Sequence, residues 1–567
     1  MESKIKNLIQ ESLKNLGIES TDFVVEHPGD LKMGDYSTNV AMALSKKLGQ
    51  NPREIAEKIM SKMSRTPLDM IEKIEVAGAG FINFYLSKEF FVGSIKEILE
   101  NKDFGKNKTF SGKKIMVEYT DPNPFKPFHI GHLMSNAIGE SVARLVEYGG
   151  AETVHAIYQG DVGPHVAKAI WAILKKGMPE ENLSVAEKAD YIGVCYSEGA
   201  TAYEDDPEIK KEIDEINKKV YERSDDKINE AYDWGRAITL EAFEGVYKKL
   251  GSKFEHYYFE SVMAPIGKKV VLENTPKVFT ESDGAVVFKG EDHDAKLHTR
   301  VFINSQGLPT YEAKEIGLTM TKFEKVNPDM SIVITAIEQG DYMRVVQKAI
   351  SLIHPDYEVR MKHVTHGMLR FATGKMSSRK GNVITGESLI KDVSESILEK
   401  IKDRDLPQDE KEKISIQVGV AALKYSILKQ GAGSDVIYDF EKSISFEGDS
   451  GPYMQYSYAR TRTLVEKAKK EGIEPSVENT GEEITQLEKM LYRFPEVVYR
   501  ASSEFEPHYV ANYLIELSRT YNSFYGNTQI INKEDPTSAY KVALTFAFSE
   551  VMKNGLYLLG IEAPEKM

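Results

Sequence analysis

Residues 114–150 read KIMVEYTDPNPFKPFHIGHLMSNAIGESVARLVEYGG, and this stretch decides the fold. A short apolar run leads into a proline-rich loop, and a long segment with apolar residues at helical spacing follows before two glycines. Another apolar run, TVHAIY at 153–158, comes directly afterwards. This alternation predicts a parallel strand–helix–strand unit. Its first loop then lies at the carboxyl edge of the sheet, where ligands of open α/β folds bind.

The proline-rich loop carries residues suited to an anion. Its prolines cannot extend a strand ladder, so we predict that the helix begins close to His129. The free N–H groups at a helix start attract a phosphate, and Gly131 lets a ligand approach the backbone. His129 and His132 are three residues apart on one side of the helix and can donate hydrogen bonds to phosphate oxygens. The loop therefore predicts a nucleotide phosphate site.

Other interpretations of the two histidines stay open at this point. A His-x-x-His pair is as often a surface pair or a helix cap. A zinc site is disfavoured because no third or fourth ligand stands at a suitable spacing. A P-loop is disfavoured because the Gly-x-x-x-x-Gly-Lys-Ser/Thr pattern is missing from the sequence.

The remaining pattern divides the chain into three predicted domains. Residues 1–109 mix helical and strand-like segments and predict a small α+β domain, whereas residues 446–567 predict a helical bundle. Residues 110–445 predict an α/β domain with an exposed, charged helical insertion at about 179–235, and helix alone after about Pro407. Four later runs are predicted to return to strand: GAVVFKG (284–290), LHTRVFIN (297–304), SIVITA (331–336) and VRMKHVTH (359–366).

Composition narrows the class of protein. The chain has 567 residues, of which 41% are hydrophobic, which is enough for several cores. Its one cysteine excludes an internal disulfide framework and a cysteine-rich zinc site. We expect a cytoplasmic protein without membrane segments, since no signal peptide or long apolar run occurs. The net charge of −14 argues against non-specific coating of nucleic acid, although a local basic surface can still bind a polyanion.

A second motif, GKMSSRKG at 374–381, groups three cations with two hydroxyls and two glycines. Lys375, Arg379 and Lys380 are suited to neutralising a triphosphate, while the alternative is a solvated basic turn. Taken together, His-Ile-Gly-His and Lys-Met-Ser-Ser-Arg resemble the HIGH and KMSKS signatures of class I aminoacyl-tRNA synthetases. Within that class the sequence resembles arginyl-tRNA synthetases from end to end. The resemblance rests on GDYSTNVAMALSKKLGQNPREIAEKI, VAGAGFINFYL, VEYTDPNPFKPFHIGHL, YQGDVGPHV, GPYMQYSYARTRTL and VMKNGLYLLGIEAPEKM.

The resemblance implies a Rossmann-type parallel-sheet catalytic domain, a small α+β N-terminal domain that contacts the tRNA elbow, and an all-α anticodon-binding bundle. It implies an arginine–tRNA ligase that forms arginyl-adenylate and transfers arginine to the terminal adenosine of tRNA(Arg). The implied partners are tRNA(Arg), L-arginine and ATP with Mg²⁺ on its phosphates. We expect no tightly bound protein metal, and we expect a monomer.

The resemblance also assigns residues. Those implied for ATP and catalysis are Lys126, His129, Gly131, His132, Lys375, Met376, Ser377, Ser378 and Arg379. For arginine, it implies Glu118 at the α-amino group, Asn123 at the carboxylate, Asp161 nearby, and Tyr311, Glu315 and Gln339 at the guanidinium. Glu315 stands where the family more often has Asp, and His165 stands where many relatives have Gln. From the residues alone, Glu315 can instead be an exposed helix charge and Tyr311 simple core packing.

For tRNA, the implied contacts are Tyr456, Tyr458, Arg460, Arg462 and Met567. Bases of a splayed anticodon can stack on tyrosine or arginine planes. In the plainer alternative, the tyrosines are core residues and the cations form a solvated helix face. Two rival functions also remain: another class I synthetase or a small nucleotidyltransferase, and a tRNA-binding relative without chemistry.

Overall fold

The computed structural model describes residues 1–19, 21–63, 70–372 and 384–567. Its first part is an antiparallel four-stranded sheet, of strand order 1-2-4-3, packed with three helices; a fourth helix follows and packs mainly on the helical last part. Apolar side chains of the helices and strands form a separate small core there. The elements are α1 (Glu2–Asn15), β1 (Val25–Glu26), β2 (Tyr36–Thr38), α2 (Val40–Leu48), α3 (Pro52–Lys62), β3 (Ile71–Ala77), β4 (Phe81–Leu86) and α4 (Lys88–Glu100).

The middle part alternates strands and helices. Its elements are β5 (Lys114–Glu118), α5 (Ile130–Tyr148), β6 (Glu152–Gln159), α6 (Pro164–Lys176), α7 (Val185–Asp205), α8 (Pro207–Glu222), α9 (Asp226–Leu250), β7 (His256–Phe259), α10 (Glu260–Glu273), β8 (Thr280–Ser282), β9 (Ala285–Phe288), β10 (Arg300–Ile303), α11 (Tyr311–Lys325), β11 (Met330–Ala336), α12 (Gly340–Ile353), β12 (Met361–His366) and β13 (Leu369–Phe371). Short 3-10 helices span Leu31–Met33, Gly290–Asp292, Ile337–Gln339 and Pro355–Arg360.

The last part is almost entirely helical. It contains α13 (Gly386–Lys400), α14 (Gln408–Leu428), β14 (Val436–Tyr438), α15 (Phe440–Ser443), α16 (Gly451–Lys470), α17 (Gln486–Leu491), α18 (Phe494–Glu504), α19 (His508–Asn527) and α20 (Ser538–Leu558). The predicted fold class is confirmed: a parallel α/β centre stands between a small α+β part and a helical bundle. The domain boundaries after residues 109 and 445 stay predictions.

A five-stranded parallel sheet organises the middle part, with the order β12-β11-β5-β6-β7. The central strand β5 is fully buried at Ile115, Met116 and Val117, as a strand covered on both faces must be. Helix α5 packs its predicted apolar side on the sheet, including Leu133 and Val142 at 0% exposure. The loop between β5 and α5 therefore opens at the carboxyl edge next to β6 and β11.

The four strands predicted after the insertion are confirmed, but two of them lie outside the parallel sheet. GAVVFKG and LHTRVFIN do not extend the parallel sheet; they form β9 and β10 of a separate antiparallel three-stranded sheet with β8. The positive φ of Asp283 and Gly284 makes a tight hairpin there, which sets an antiparallel pairing. The expectation of helix alone after Pro407 also fails, because β14 pairs in parallel with β13.

The charged segment at 179–235 is helical, as predicted, but it is more than an exposed insertion. Helices α7, α8 and α9 bury Ile192, Cys195, Val220 and Ile228 against α6 in a core of their own. This core also contains Phe125 from the loop after β5. The insertion thus supports the loop that carries the first motif. Among the described helices, none is long and apolar enough to cross a membrane.

Candidate active site

A cavity of about 400 Å³ opens at the carboxyl edge of the parallel sheet. Its walls come from the loop after β5, the start of α5, the ends of β6 and β11, and the first turns of α11 and α12. This is the position where an open α/β sheet binds ligands, and the volume suits a small molecule. The position of the cavity agrees with the ligand site that the sequence predicts at the carboxyl edge of the sheet.

The loop after β5 has an unusual backbone. Thr120, Asp121 and Phe125 have φ of 82°, 47° and 67°, the left-handed region that non-glycine residues rarely adopt. Such strain persists only where the surroundings hold it, and it concentrates at functional sites. Here the N–H of Thr120 donates to Ser135 Oγ at 3.0 Å, and the ring of Phe125 packs against Gly235, which has no room for a side chain.

Both histidines of the first motif stand at the start of α5. His129 is the N-cap residue, so the helix begins where the sequence predicts. The backbone N–H of His132 donates to Nδ1 of His129 at 3.3 Å, and the N–H of His129 donates to Nδ1 of His132 at 3.2 Å. The two rings stack with centroids 3.4 Å apart. The helix-cap alternative is therefore correct for the local structure. The same two histidines also line the cavity.

This double cap fixes the chemistry of the two rings. Each Nδ1 accepts a backbone N–H, so in a neutral ring the proton resides on Nε2. Burial lowers the pKa of His129, with a smaller effect from Lys126, and burial lowers the pKa of His132 well below its usual value. Both imidazoles are therefore neutral near pH 7. Each presents one Nε2–H donor.

Lys126 lies near this pair. Burial and Lys168 lower the pKa of Lys126, whose ammonium lies 5.3 Å from the ring centroid of Tyr196. The predicted ATP residues Lys375, Met376, Ser377, Ser378 and Arg379 lie outside the described residues, as does Lys380. Beyond that stretch, Thr385 forms an isolated antiparallel bridge with His129, and the N–H of Gly386 donates to the carbonyl of Phe128 at 2.7 Å. Thr385 and Gly386 therefore contact the loop that carries the first motif.

The lining of the cavity is also acidic. Glu118, Asp121, Glu260 and Glu315 all line it. Two of them have buried lysine partners: Lys322 pairs with Glu118 and Lys314 pairs with Glu260, each at 2.6 Å. Asp121 and Glu315 have no comparable cationic partner within the described part of the chain. A ligand with positive charge would balance them.

The pKa values reflect this imbalance. Burial, followed by the charge of Glu118, raises the pKa of Glu315 to about 8, although Lys322 opposes the shift. Burial, again followed by Glu118, raises the pKa of Asp121 well above its usual range. Both carboxyls therefore hold protons more tightly in the ligand-free cavity than in water. A bound cation would favour their ionised forms.

The remaining predicted arginine residues have different surroundings. Tyr311, at 59% exposure, lines the cavity at the first turn of α11, so it is not a core residue. Gln339 lines the cavity and accepts a bond from the hydroxyl of Tyr342 at 3.3 Å. Asn123 accepts the N–H of Gly160 at 3.1 Å through Oδ1, so its Nδ2 group can donate to a ligand. Glu315 is a cavity residue and not an exposed helix charge.

Asp161 and His165 stand behind the cavity. The fully buried carboxylate of Asp161 accepts from Arg236, Tyr232 and Ser261, which satisfies it within the protein. His165 bonds through Nε2 to the carbonyl of Gly160 at 2.8 Å, and burial lowers its pKa to about 3. These residues hold the turn after β6. A direct contact of Asp161 with arginine stays a prediction.

Several cavity residues were not predicted from the sequence, among them Glu260, Tyr158 and Asp121. Glu260 begins α10, Tyr158 is the penultimate residue of β6, and Asp121 lies in the loop of the first motif. The hydroxyl of Tyr158 is buried and has no hydrogen-bond partner within the described residues. Only Asp121 had a usable signal in the sequence, since an aspartate after a buried strand points to the carboxyl edge of the sheet. Glu260 follows β7, an edge strand that the chain reaches only after the long helical insertion.

The predicted tRNA residues separate into two groups. Tyr458 is 2% exposed and packs in the core, so the prediction that its ring stacks on a base is wrong. Arg460 lies 4.8 Å from the ring centroid of Tyr456 and 4.9 Å from that of Tyr525. Arg462 pairs with Glu565 at 3.6 Å, and the carbonyl of Met567 accepts from Arg404 at 3.0 Å. The half-buried Tyr456 and Arg460 remain available to a partner.

Three protein families match consecutive parts of the chain. Residues 94–440 match "tRNA synthetases class I (R), catalytic domain", residues 454–567 match "DALR anticodon binding domain", and residues 3–86 match "Arginyl tRNA synthetase N terminal domain". The arginine–tRNA ligase of Fusobacterium nucleatum subsp. nucleatum is 34% identical over 557 residues, which cover 94% of this chain and 93% of that protein.

Two further relatives cover the chain more fully. The arginine–tRNA ligase of Clostridium perfringens is 29% identical over 575 residues, which cover 99% of this chain and 100% of that protein. The solved structure of Thermus thermophilus arginyl-tRNA synthetase superimposes with a TM-score of 0.83 at 23% sequence identity, and both chains are covered completely. The fold is the same over the whole length.

Proposed function

The chain belongs to the class I arginyl-tRNA synthetases and is an arginine–tRNA ligase, and from that premise we propose how its cavity performs the reaction. Arginine lies against the carboxyls of the cavity, and the triphosphate of ATP lies at the start of α5. The observation that carries this arrangement is the composition of one cavity, which is lined by two unbalanced carboxyls and by two neutral imidazole donors.

The guanidinium lies against Glu315. A planar cation with five N–H donors calls for a carboxylate together with neutral oxygen acceptors, which Glu315, Tyr311 and Gln339 supply at one wall. The carboxylate of arginine points the other way, toward the Nδ2 group of Asn123 and the start of α5. This direction brings the attacking oxygen next to the α-phosphate.

In the first step, an oxygen of the arginine carboxylate attacks the α-phosphorus of ATP, and pyrophosphate leaves with its bonding electron pair. No protein nucleophile is needed, because phosphoryl transfers depend mainly on placement and charge stabilisation. The Nε2–H groups of His129 and His132 donate to phosphate oxygens as charge develops, and Lys126, Lys375 and Arg379 supply positive charge. Because backbone N–H groups already hold both neutral imidazoles in place, the rings do not need to reorient when that charge appears.

In the second step, a hydroxyl of the tRNA's terminal adenosine, the 2′-hydroxyl first, attacks the arginyl carbonyl, and AMP leaves. The ATP substrate carries Mg²⁺ on its phosphates; within the described residues, no group of three His, Cys, Asp or Glu side chains could hold a metal ion. The aromatic and cationic pair Tyr456 and Arg460 meets the anticodon region. The enzyme acts as a monomer in the cytoplasm.

Arginine charging is the direct test of this function. The purified chain is incubated with ATP, Mg²⁺, labelled amino acids one at a time, and total tRNA or a tRNA(Arg) transcript. We expect acid-precipitable label with arginine and only background with lysine, because a single ammonium cannot fill a planar bidentate site. Failure to charge arginine, or equal charging of another amino acid, contradicts the proposal and favours one of the rival functions.

Arginine affinity should depend on pH. The carboxyl of Glu315 has a pKa of about 8 without ligand, whereas the guanidinium favours the ionised form. Below pH 8, binding must therefore release a proton, and affinity falls by as much as about tenfold for each pH unit lowered. Above pH 8 this dependence levels off. Calorimetric titrations with arginine at pH 6, 7 and 8, in buffers of different ionisation enthalpy, measure the proton release; no release at pH 6 would contradict the assignment.

A further inference from the structure

Two helix ends meet inside the enzyme, outside the lining of the cavity. Helix α9, the last helix of the insertion, ends at Leu250, and α20, the last helix of the bundle, ends at Leu558. The last carbonyls of a helix have no partner within it and carry partial negative charge. Lys424 on α14 is 0% exposed, and its amino group donates to the carbonyls of Leu250 and Gly560 at 2.7 Å each. One buried lysine therefore joins the two helix ends.

Arg144 on α5 makes a second bridge of the same kind. Its Nη1 donates to the carbonyl of Tyr557 at 2.9 Å, and its Nη2 donates to the carbonyl of Gly251 at 3.1 Å. Each of the two cationic side chains thus binds one carbonyl at the end of α9 and one at the end of α20. We call Arg144, Lys424 and these four carbonyls the junction. It joins the parallel α/β centre, the insertion and the helical bundle.

Glu140 connects the junction to the loop after β5. It accepts from Nε of Arg144 at 2.7 Å and from the hydroxyl of Tyr119 at 2.6 Å. Gly560 is packed against it, because a Cβ atom at Gly560 would lie 3.3 Å from Cγ of Glu140. Tyr119 directly precedes Thr120, where the left-handed backbone of the loop begins. The first residue of the loop is therefore held from the junction.

Helix α9 holds the same loop further along. The hydroxyl of Thr239 accepts the N–H of Phe125 at 3.4 Å, and the ring of Phe125 packs against Gly235. Both supports of the loop, α5 at Tyr119 and α9 at Phe125, are therefore tied to each other at the junction. A shift of the end of α9 would move one support relative to the other.

We propose that Lys424 is a positioning residue for the reaction, which fixes the ends of α9 and α20 to each other and thereby keeps the loop between β5 and α5 in its catalytic shape. The inference rests on the proposed function, since it presumes that this loop places the substrates. Burial, followed by the charge of Arg144, lowers the pKa of Lys424 to about 7. A neutral amine still has two N–H groups, one for each carbonyl, so the bridge persists when the proton is lost.

Lys424→Met tests this role, because methionine fills a similar volume and has no N–H to donate. Hydrogen–deuterium exchange of the full-length variant and of wild type is followed by mass spectrometry in peptides that cover residues 116–130. Charging assays well below the unfolding temperature give kcat and the KM for arginine. A variant that only loses stability keeps the wild-type exchange of this loop and the wild-type kcat.

Gln455→Met is the matched control. Gln455 is also 0% exposed and donates to the carbonyl of Glu562 at 2.8 Å, two residues beyond the carbonyl that Lys424 binds. Within the described residues, its side chain makes no hydrogen bond to α5 or α9. The control therefore loosens the same C-terminal segment and leaves the supports of the loop intact.

We expect faster exchange of the loop in Lys424→Met and a loss of roughly 10- to 100-fold in kcat, the effect of a misplacement of about 1 Å. The KM for arginine should change much less, because the guanidinium wall on α11 and α12 is not part of this loop. Gln455→Met should show neither change. Unaltered loop exchange or kcat in Lys424→Met, or equal changes in both variants, would overturn the proposal.

A second variant keeps the test decisive if Lys424→Met does not fold. Arg144→Lys keeps the charge beside Glu140 but has no planar fork to reach both carbonyls of the second bridge. We expect the same changes of loop exchange and kcat, and their absence would overturn the proposal. Wild-type enzyme that does not charge arginine would instead contradict the proposed function, whereas the exchange measurement does not depend on that activity.

Discussion

The variant His132→Asn should charge tRNA with arginine about 100- to 1000-fold more slowly than wild type. Removing one preorganised donor from a developing negative charge typically costs about 2.7–4 kcal/mol in the activation step. The oxygen of asparagine can take the place of Nδ1 and still accept the N–H of His129, so the helix cap survives. The donor at the position of Nε2 is lost. Steady-state charging at saturating arginine, ATP and tRNA measures the effect on kcat.

A variant that keeps the donor and loses the cap acceptor provides the control. In His132→Gln, the side-chain amide can reach the position of Nε2 and donate there, but the acceptor of the cap is lost. We expect a variant that is less stable by about 1 kcal/mol, the typical contribution of a helix cap, yet more active than His132→Asn. Thermal unfolding of both variants separates stability from catalysis. If asparagine kept near-normal kcat, His132 would be a capping residue alone.

Glu315→Gln should raise the KM for arginine by roughly 30- to 5000-fold. Truncating one partner of a buried, hydrogen-bonded charge pair costs about 2–5 kcal/mol, and glutamine keeps the shape while removing the charge. The variant should also lose the rise in arginine affinity between pH 6 and 8, because the carboxyl with the pKa of about 8 is gone. Charging assays over a range of arginine concentrations measure the KM.

Glu312→Gln is the matched control on the same helix. Glu312 is also buried, but it lies outside the cavity lining and faces Arg300 at 3.5 Å. We expect its KM for arginine to stay within a few-fold of wild type, with at most a small loss of stability. Equal increases of KM in the two variants would mean that Glu315 acts through the stability of α11. In that case the guanidinium pocket would have to be placed elsewhere.

The start of α5 is the part of the site that sequence predicts best. Prolines, a glycine and two histidines act through local geometry, and a helix cap involves residues only three positions apart. For that reason the helix start and the cavity edge agree with expectation. The sequence also suggested that Glu315 belongs to a guanidinium pocket, although its direct contact with arginine stays a prediction.

Contacts between distant segments of the chain could not be predicted from the sequence. Pairing of Glu118 with Lys322 joins residues about two hundred positions apart, and nothing in the local pattern at either residue reveals it. The burial of Tyr458 depends on how α16 packs among α14, α19 and α20, and its helix has apolar and polar residues on several sides. The antiparallel pairing of β9 with β10 likewise depends on tertiary structure, since a short apolar run does not indicate which strand it will pair with.

A crystal of the enzyme with a stable arginyl-adenylate analogue, such as the sulfamoyl adenosine of arginine, tests directly how the two substrates lie in the cavity. We expect the guanidinium within hydrogen-bond distance of Glu315 and the sulfamoyl group within hydrogen-bond distance of Nε2 of His129 or His132. An analogue bound with its guanidinium away from Glu315, or with its sulfamoyl group away from both histidines, would contradict it.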